Sequence, residues 1–198
     1  MKWVITGLDG SGKDTQIQNI INYGKSKNKT VLAYSIWDSL KLFSSIPQME
    51  MKNTLDIFLT KTTPQARSLF LQSMLMESEK RIDFSAYDLV IFNAGLPKYA
   101  ASEQTLGSPL SLWFAMETHF KYPDKTIYLK CSTDTVKQRK TNLSSYEKLF
   151  WDKLDVYKEN LEHYVSQLEN VVQINGDLEA TKVFEQILVK ARLFSDDV

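Results

Sequence analysis

Cysteine is almost absent: the chain of 198 residues carries a single one, Cys131. One thiol excludes an internal disulfide framework and fits a reducing compartment. Net charge is absent as well, because 24 Lys and Arg residues are matched by 24 Asp and Glu residues. This balance excludes the global basic field of a dedicated nucleic-acid binder, although a local basic groove is compatible with a zero sum. No apolar run approaches the roughly 20 residues that a membrane span needs. The N-terminus enters an apolar run and a glycine loop without a cleavable signal. Repeats, low-complexity tracts and linkers are missing, and the two histidines, His119 and His163, lie in helical patterns without partners at ligand spacing. The expectation is one domain over residues 1–198, without a membrane segment and cytoplasmic.

Short β-rich runs alternate with longer helical patterns. The runs are "KWVIT" (2–6), "TVLAYS" (30–35), "DLVIFN" (88–93), "KTIYLK" (125–130) and "NVVQIN" (170–175). Runs of this length bounded by polar residues predict strands buried on both faces of a parallel sheet. Ile17, Ile20 and Ile21 have helical spacing after the first run, and "YGKSKNK" ends that helix. Tyr146, Phe150, Leu154, Tyr157, Leu161 and Val165 form one long amphipathic stripe, which reads as core packing on a single helix. Val183, Phe184, Ile187, Leu188 and Ala191 mark another helix near the C-terminus. The alternation predicts an α/β fold, a doubly wound parallel five-stranded sheet with helices on both faces. Ligands of such folds sit beyond the carboxyl ends of the strands. That rule places the site at residues 6–15, 35–40, 93–104 and after Lys130.

Between the first strand and the first helix stands "TGLDGSGKDT" (6–15). It has the spacing G-x-x-x-x-G-K, from Gly7 to Lys13, followed by Asp14 where a hydroxyl normally offers oxygen to magnesium, and then by Thr15. Glycines let the backbone curl so that successive N–H groups face phosphate oxygens, and the helix N-terminus adds partial positive charge. Lys13 is placed to reach the β- and γ-phosphates. Asp9, Gly10, Ser11, Gly12, Lys13, Asp14 and Thr15 are therefore the expected contacts to a nucleoside triphosphate.

"GLDGSGKDTQ", with its Asp9-Gly10 pair, resembles the thymidylate kinase family of nucleoside monophosphate kinases. "YPDKTIYLKCSTDTVKQR" (122–139) is similar to that family's strand and following helix, ending in a matching arginine, Arg139. "YEKLFWDKLDVYKENL" (146–161) looks like the helix after its lid, and "VVQINGDLEATKVFEQI" (171–187) like its C-terminal strand, turn and helix. The resemblance covers most of the chain, with only the phosphate loop sharply specific. It implies ATP and Mg2+ as cofactors, a P-loop kinase fold and a short lid around residues 137–146. It leaves a homodimer open.

The same resemblance breaks on the acceptor side. The family ends its third strand in an Asp-Arg pair, the aspartate helping to hold magnesium and the arginine gripping the acceptor's monophosphate; here Asn93 and Ala94 occupy those positions. "SIWDSLK" (35–41) replaces the family's Arg-Glu-Pro-type segment, and its helix arginine has no match near Ser73 and Met74. Carboxylate and neutral side chain have thus exchanged places, with Asp14 in the loop and Asn93 on the strand, so Asp14 is the expected magnesium ligand, directly or through water. An outward-turned Asp14, with Thr15 supplying the oxygen, is the alternative.

By resemblance Asp9 would accept a hydrogen bond from the acceptor sugar, and Phe70 would stack on the acceptor base. Lys98 is a candidate replacement for the missing arginine, as are Arg67 and Lys41. Arg139, with Lys137 and Lys140 beside it, is the candidate lid cation over the transferred phosphoryl group. Trp37, after the second strand, is expected at the mouth of the acceptor pocket. Bland readings stand beside these: Asp9 bracing loop amides, Phe70 and Trp37 packing, Lys98 solvated, and Arg139 a charged helix end. The expected function is transfer of the γ-phosphoryl of ATP to an altered nucleoside monophosphate. The alternatives are a hydroxyl of a nucleoside or of a modified base in DNA, and a decayed module that binds nucleotide without transfer.

Overall fold

The computed structural model describes residues 1–43 and 48–194, with the side chains of 41–43, 48 and 52 outside that description. Lys41, one of the candidate acceptor cations, therefore lies outside the described side chains. Among the described residues five strands are present: β1 (Lys2–Thr6), β2 (Val31–Tyr34), β3 (Leu89–Asn93), β4 (Lys125–Lys130) and β5 (Val171–Asn175). All neighbours pair in parallel, in the order β2-β3-β1-β4-β5. Every predicted run is a strand, to within a residue at the ends.

Helices cover both faces of the sheet. They are α1 (Lys13–Ser26), α2 (Gln48–Lys61), α3 (Pro64–Lys80), α4 (Gly95–Thr105), α5 (Ser111–Glu117), α6 (Thr133–Arg139), α7 (Ser145–Lys148), α8 (Leu154–Ser166) and α9 (Ala180–Lys190). The period-2 alternation of the strands divides the core in two. Trp3, Ile5, Leu89, Ile91, Ile127 and Leu129 face Ile17 and Ile20 of α1 and Val183 and Ile187 of α9. Val4, Val90, Phe92 and Tyr128 face the other way, toward Leu71 and Leu75 of α3, Ala100 and Ala101 of α4, and Leu161 of α8. The fold is a doubly wound α/β sheet. Among the described residues no helix is long and apolar enough to cross a membrane.

Two expectations need correction. Burial on both faces holds for β1, β3 and β4, but β2 is largely half-buried and β5 partly exposed, because they are the edges of the sheet and have a neighbour on one side only. The stripe from Tyr146 to Val165 is not one helix. Its six residues are buried as expected, but the chain runs through α7, a 3₁₀ turn at Trp151–Lys153 and then α8. A capping box starts α7: Ser144 accepts from Glu147 N while the Glu147 side chain accepts from Ser144 N. The interruption lets Tyr146 turn inward, where its hydroxyl donates to Glu103 Oε1 at 2.6 Å, while α8 lies along α4.

Candidate functional site

The carboxyl ends of β1, β2 and β3 open into one cleft of about 780 Å³, closed on the far side by the segment after α6. This volume is in the range of small-molecule sites. Its lining comes from all four expected segments: Asp9 to Thr15, Ser35 and Trp37, Asn93 to Tyr99, and Arg139 to Glu147. Strand register sets the centre. Ile5 of β1 lies beside Asn93 of β3, and Ala94 N donates to Ile5 O at 2.8 Å, so the end of β3 stands beside the loop that leaves β1. Ala94 takes φ 76° and ψ −49°, a conformation that non-glycine residues rarely adopt.

The loop enters α1 through Gly12, whose φ of 95° is a left-handed conformation that favours glycine. No side chain caps this helix start, so its first N–H groups remain available to an anion. Gly10 lies against the end of α6 and the residue after it: a Cβ placed there would come within 3.2 Å of Lys140 Cβ and of Val136 O. Close approach of that segment to the loop therefore requires glycine at this position.

Charge in the cleft is organised around Asp9, which is held by two lysines rather than by loop amides. Its Oδ1 is 2.9 Å from Lys98 Nζ and 3.7 Å from Lys13 Nζ. Burial, the largest influence, acts to raise the Asp9 carboxyl, but the two lysine charges, Lys98 first, outweigh it and hold the group at about 2. Lys13 is pulled down to about 8, chiefly by burial and against the attraction of Asp9. For Lys98 burial acts downward, yet Asp9 outweighs it and the ammonium is raised. Lys13 Nζ also donates to Gly7 O at 3.0 Å and Leu8 O at 2.8 Å, which fixes it over the mouth of the loop.

Asp14 and Asn93 meet directly, the amide Nδ2 donating to Oδ1 at 2.6 Å. Asn93 Oδ1 is buried without a hydrogen bond, and the exposed Thr15 stands beside Asp14 on the cleft wall. One carboxylate, an amide oxygen and a hydroxyl form a hard-oxygen set. It suits Mg2+ bound mainly through water and phosphate, the usual mode of that ion with nucleotides. No group of three or more His, Cys, Asp and Glu that could hold a metal ion occurs among the described residues.

The remaining sequence candidates divide. Trp37 borders the cleft and is 45% exposed, while its neighbour Ile36 is fully buried and anchors the turn. Asp38 braces that turn by accepting from Ser35 N at 2.7 Å. Phe70 is half-buried against Phe58, with ring centroids 4.6 Å apart; Leu59 and Leu71 from the same two helices line the cleft in its place. Arg139 borders the cleft, but its guanidinium donates to the carbonyls of Gly176, Asp177 and Leu178 at 2.7, 3.2 and 3.0 Å. Lys140, against Gly10, pairs with Glu147 at 2.9 Å.

Arg67 is not a free acceptor cation. It is 3% exposed, its Nε donates to both Glu103 oxygens at 2.8 and 2.9 Å, and Nη1 donates to Leu59 O at 3.1 Å. Tyr99 and Tyr146 were missed as lining residues. Tyr146 was masked by its place in an apolar stripe, although Ser144 and Glu147 already spelled the capping box that turns it.

No family model matches the chain, and no curated protein matches it.

Proposed function

We propose that the chain is an ATP-dependent phosphotransferase of the nucleotide kinase type, similar to thymidylate kinases, that moves the γ-phosphoryl of ATP to a nucleoside or nucleotide acceptor. One observation carries this reading: the glycine loop with Lys13 opens directly into a cleft of about 780 Å³ that also carries Ser35, Trp37, Leu59, Leu71 and Tyr99 and is wide enough for a second molecule. Phosphoryl transfer asks for positioning and electrostatics rather than covalent chemistry by the protein. The loop amides and Lys13 would orient the triphosphate, and Asp14 with Asn93 and Thr15 would hold Mg2+, which neutralises phosphate charge when bound. Trp37, Leu59, Leu71 and Tyr99 would position the acceptor and exclude water.

The test is transfer of labelled γ-phosphate from ATP across nucleosides, their monophosphates and short DNA. Transfer to one acceptor class that is lost in Lys13→Ala supports the reading. Tight ATP binding without transfer to any acceptor would replace it with a nucleotide-binding module, a reading favoured by Asn93 and Ala94 standing where the resembled family keeps an Asp-Arg pair.

A further inference from the structure

We propose that the acceptor is a neutral hydroxyl on a nucleoside-like alcohol that brings no phosphate of its own. The proposal rests on the phosphotransferase reading and narrows its acceptor. It reverses the order that the missing arginines suggest from sequence, and what reverses it is the pairing of charges on the cleft wall.

Four cations line the cleft, Lys13, Lys98, Arg139 and Lys140, against three carboxylates, Asp9, Asp14 and Glu147. Three of the cations are taken up at the loop or at the end of α6. Lys13 sits on the loop itself, Lys140 lies against Gly10 and pairs with Glu147, and Arg139 is committed to the turn after β5. Among the described residues the other side of the cleft carries Ser35, Trp37, Leu59, Leu71, Tyr99 and Tyr146, all neutral. Lys98 is the cation of that wall among the described residues, and it is ion-paired to Asp9 at 2.9 Å with both side chains 12% exposed. Behind the wall Arg67 is matched by Glu103, which also accepts from Tyr146.

A phosphate monoester carries about 1.5 to 2 negative charges at neutral pH. On this wall it would meet a neutral ion pair and the like charge of Asp9. Detaching Lys98 would leave Asp9 partly buried and short of its closer partner, the situation in which buried ionic groups are most costly. A hydroxyl needs no counter-charge, and Asp9 can accept its hydrogen bond: Oδ2 has no hydrogen-bond partner in the protein. In the transfer, the hydroxyl oxygen bonds to the γ-phosphorus, the bond from that phosphorus to the bridging oxygen breaks, ADP leaves and the hydroxyl proton is released to solvent.

The experiment is calorimetric titration of the protein with a non-hydrolysable ATP analogue and magnesium, then of the loaded protein with each common nucleoside and its 5′-monophosphate. For at least one pair the nucleoside is expected to bind about tenfold or more tighter than its monophosphate, a difference of about 1.4 kcal/mol. Monophosphates that bind as tightly as, or tighter than, every nucleoside overturn the proposal, and so does a loaded protein that binds neither. Failure of the first titration, with no analogue bound, removes the phosphotransferase reading itself. Normal analogue binding with a preference for monophosphates removes only the neutral acceptor.

Discussion

Asn93 Nδ2 donates to Asp14 Oδ1 at 2.6 Å, joining the end of β3 to the first turn of α1. The amide orients the carboxylate, while its own buried carbonyl oxygen has no hydrogen-bond partner. The acid of the loop and the neutral amide at the strand end are thus in direct contact.

If Asp14 ligates magnesium, Asp14→Ser should raise the metal concentration needed for half-maximal turnover by about 10–100-fold, the usual range for disturbing a metal's immediate surroundings. The double variant Asp14→Ser/Asn93→Asp returns one carboxylate to the same place and should recover most of the loss. A magnesium titration of the three proteins decides; an unchanged requirement in Asp14→Ser removes the metal role.

Lys13→Ala should lower phosphoryl transfer by about 100-fold or more, because a charge aimed at the transferring group acts in a water-poor cleft. Far-UV circular dichroism should remain that of the parent protein. Near-normal turnover in a folded Lys13→Ala would show that the loop does not act on the triphosphate.

Arg67 and Glu103 form a buried pair, and breaking it from one side should cost about 3–5 kcal/mol in Arg67→Met. The double variant Arg67→Met/Glu103→Leu should recover much of that, since no uncompensated charge stays behind. Burial, the largest influence on Glu103, raises its carboxyl above the ordinary 4.5 even with Arg67 beside it. A raised carboxyl means that the native state holds the proton more firmly than the unfolded chain, so this stabilisation is complete below 4.5 and is lost as pH rises through the folded value. Without Arg67 the loss deepens, and the deficit of Arg67→Met should grow as pH rises above about 4.5. Denaturant unfolding at several pH values measures it, and a deficit independent of pH would contradict the assignment.

Cys131 is 2% exposed, and burial first, then the Asp177 charge, pushes its thiol up to about 11. At pH 8 it should react with a disulfide reagent at least about 100-fold more slowly than an exposed cysteine, because the thiolate is the nucleophile. Unfolding in denaturant should release the thiol to normal reactivity. Fast labelling of the native protein would show that the end of β4 opens.

The sequence by itself determined what depends on neighbours along the chain. Five β-rich runs became five strands, because strand propensity and flanking polar residues are local properties. The glycine loop was legible for the same reason, since Gly12 must adopt a conformation set by its own backbone. Tertiary structure alone decided the ion pairs of Lys98 with Asp9 and Arg67 with Glu103, and the hydrogen bond of Asn93 to Asp14. Each joins residues far apart in the chain, brought together by the strand order β2-β3-β1-β4-β5, and the sequence offered several equally suitable partners for each acid. The interruption at 149–153 was hidden because helical spacing of apolar residues continues across it, and the buried acceptor of the Tyr146 hydroxyl, Glu103, is distant in the chain. Local chemistry marked the glycine loop, and long-range ion pairing determined which of its surrounding charges are matched in the cleft.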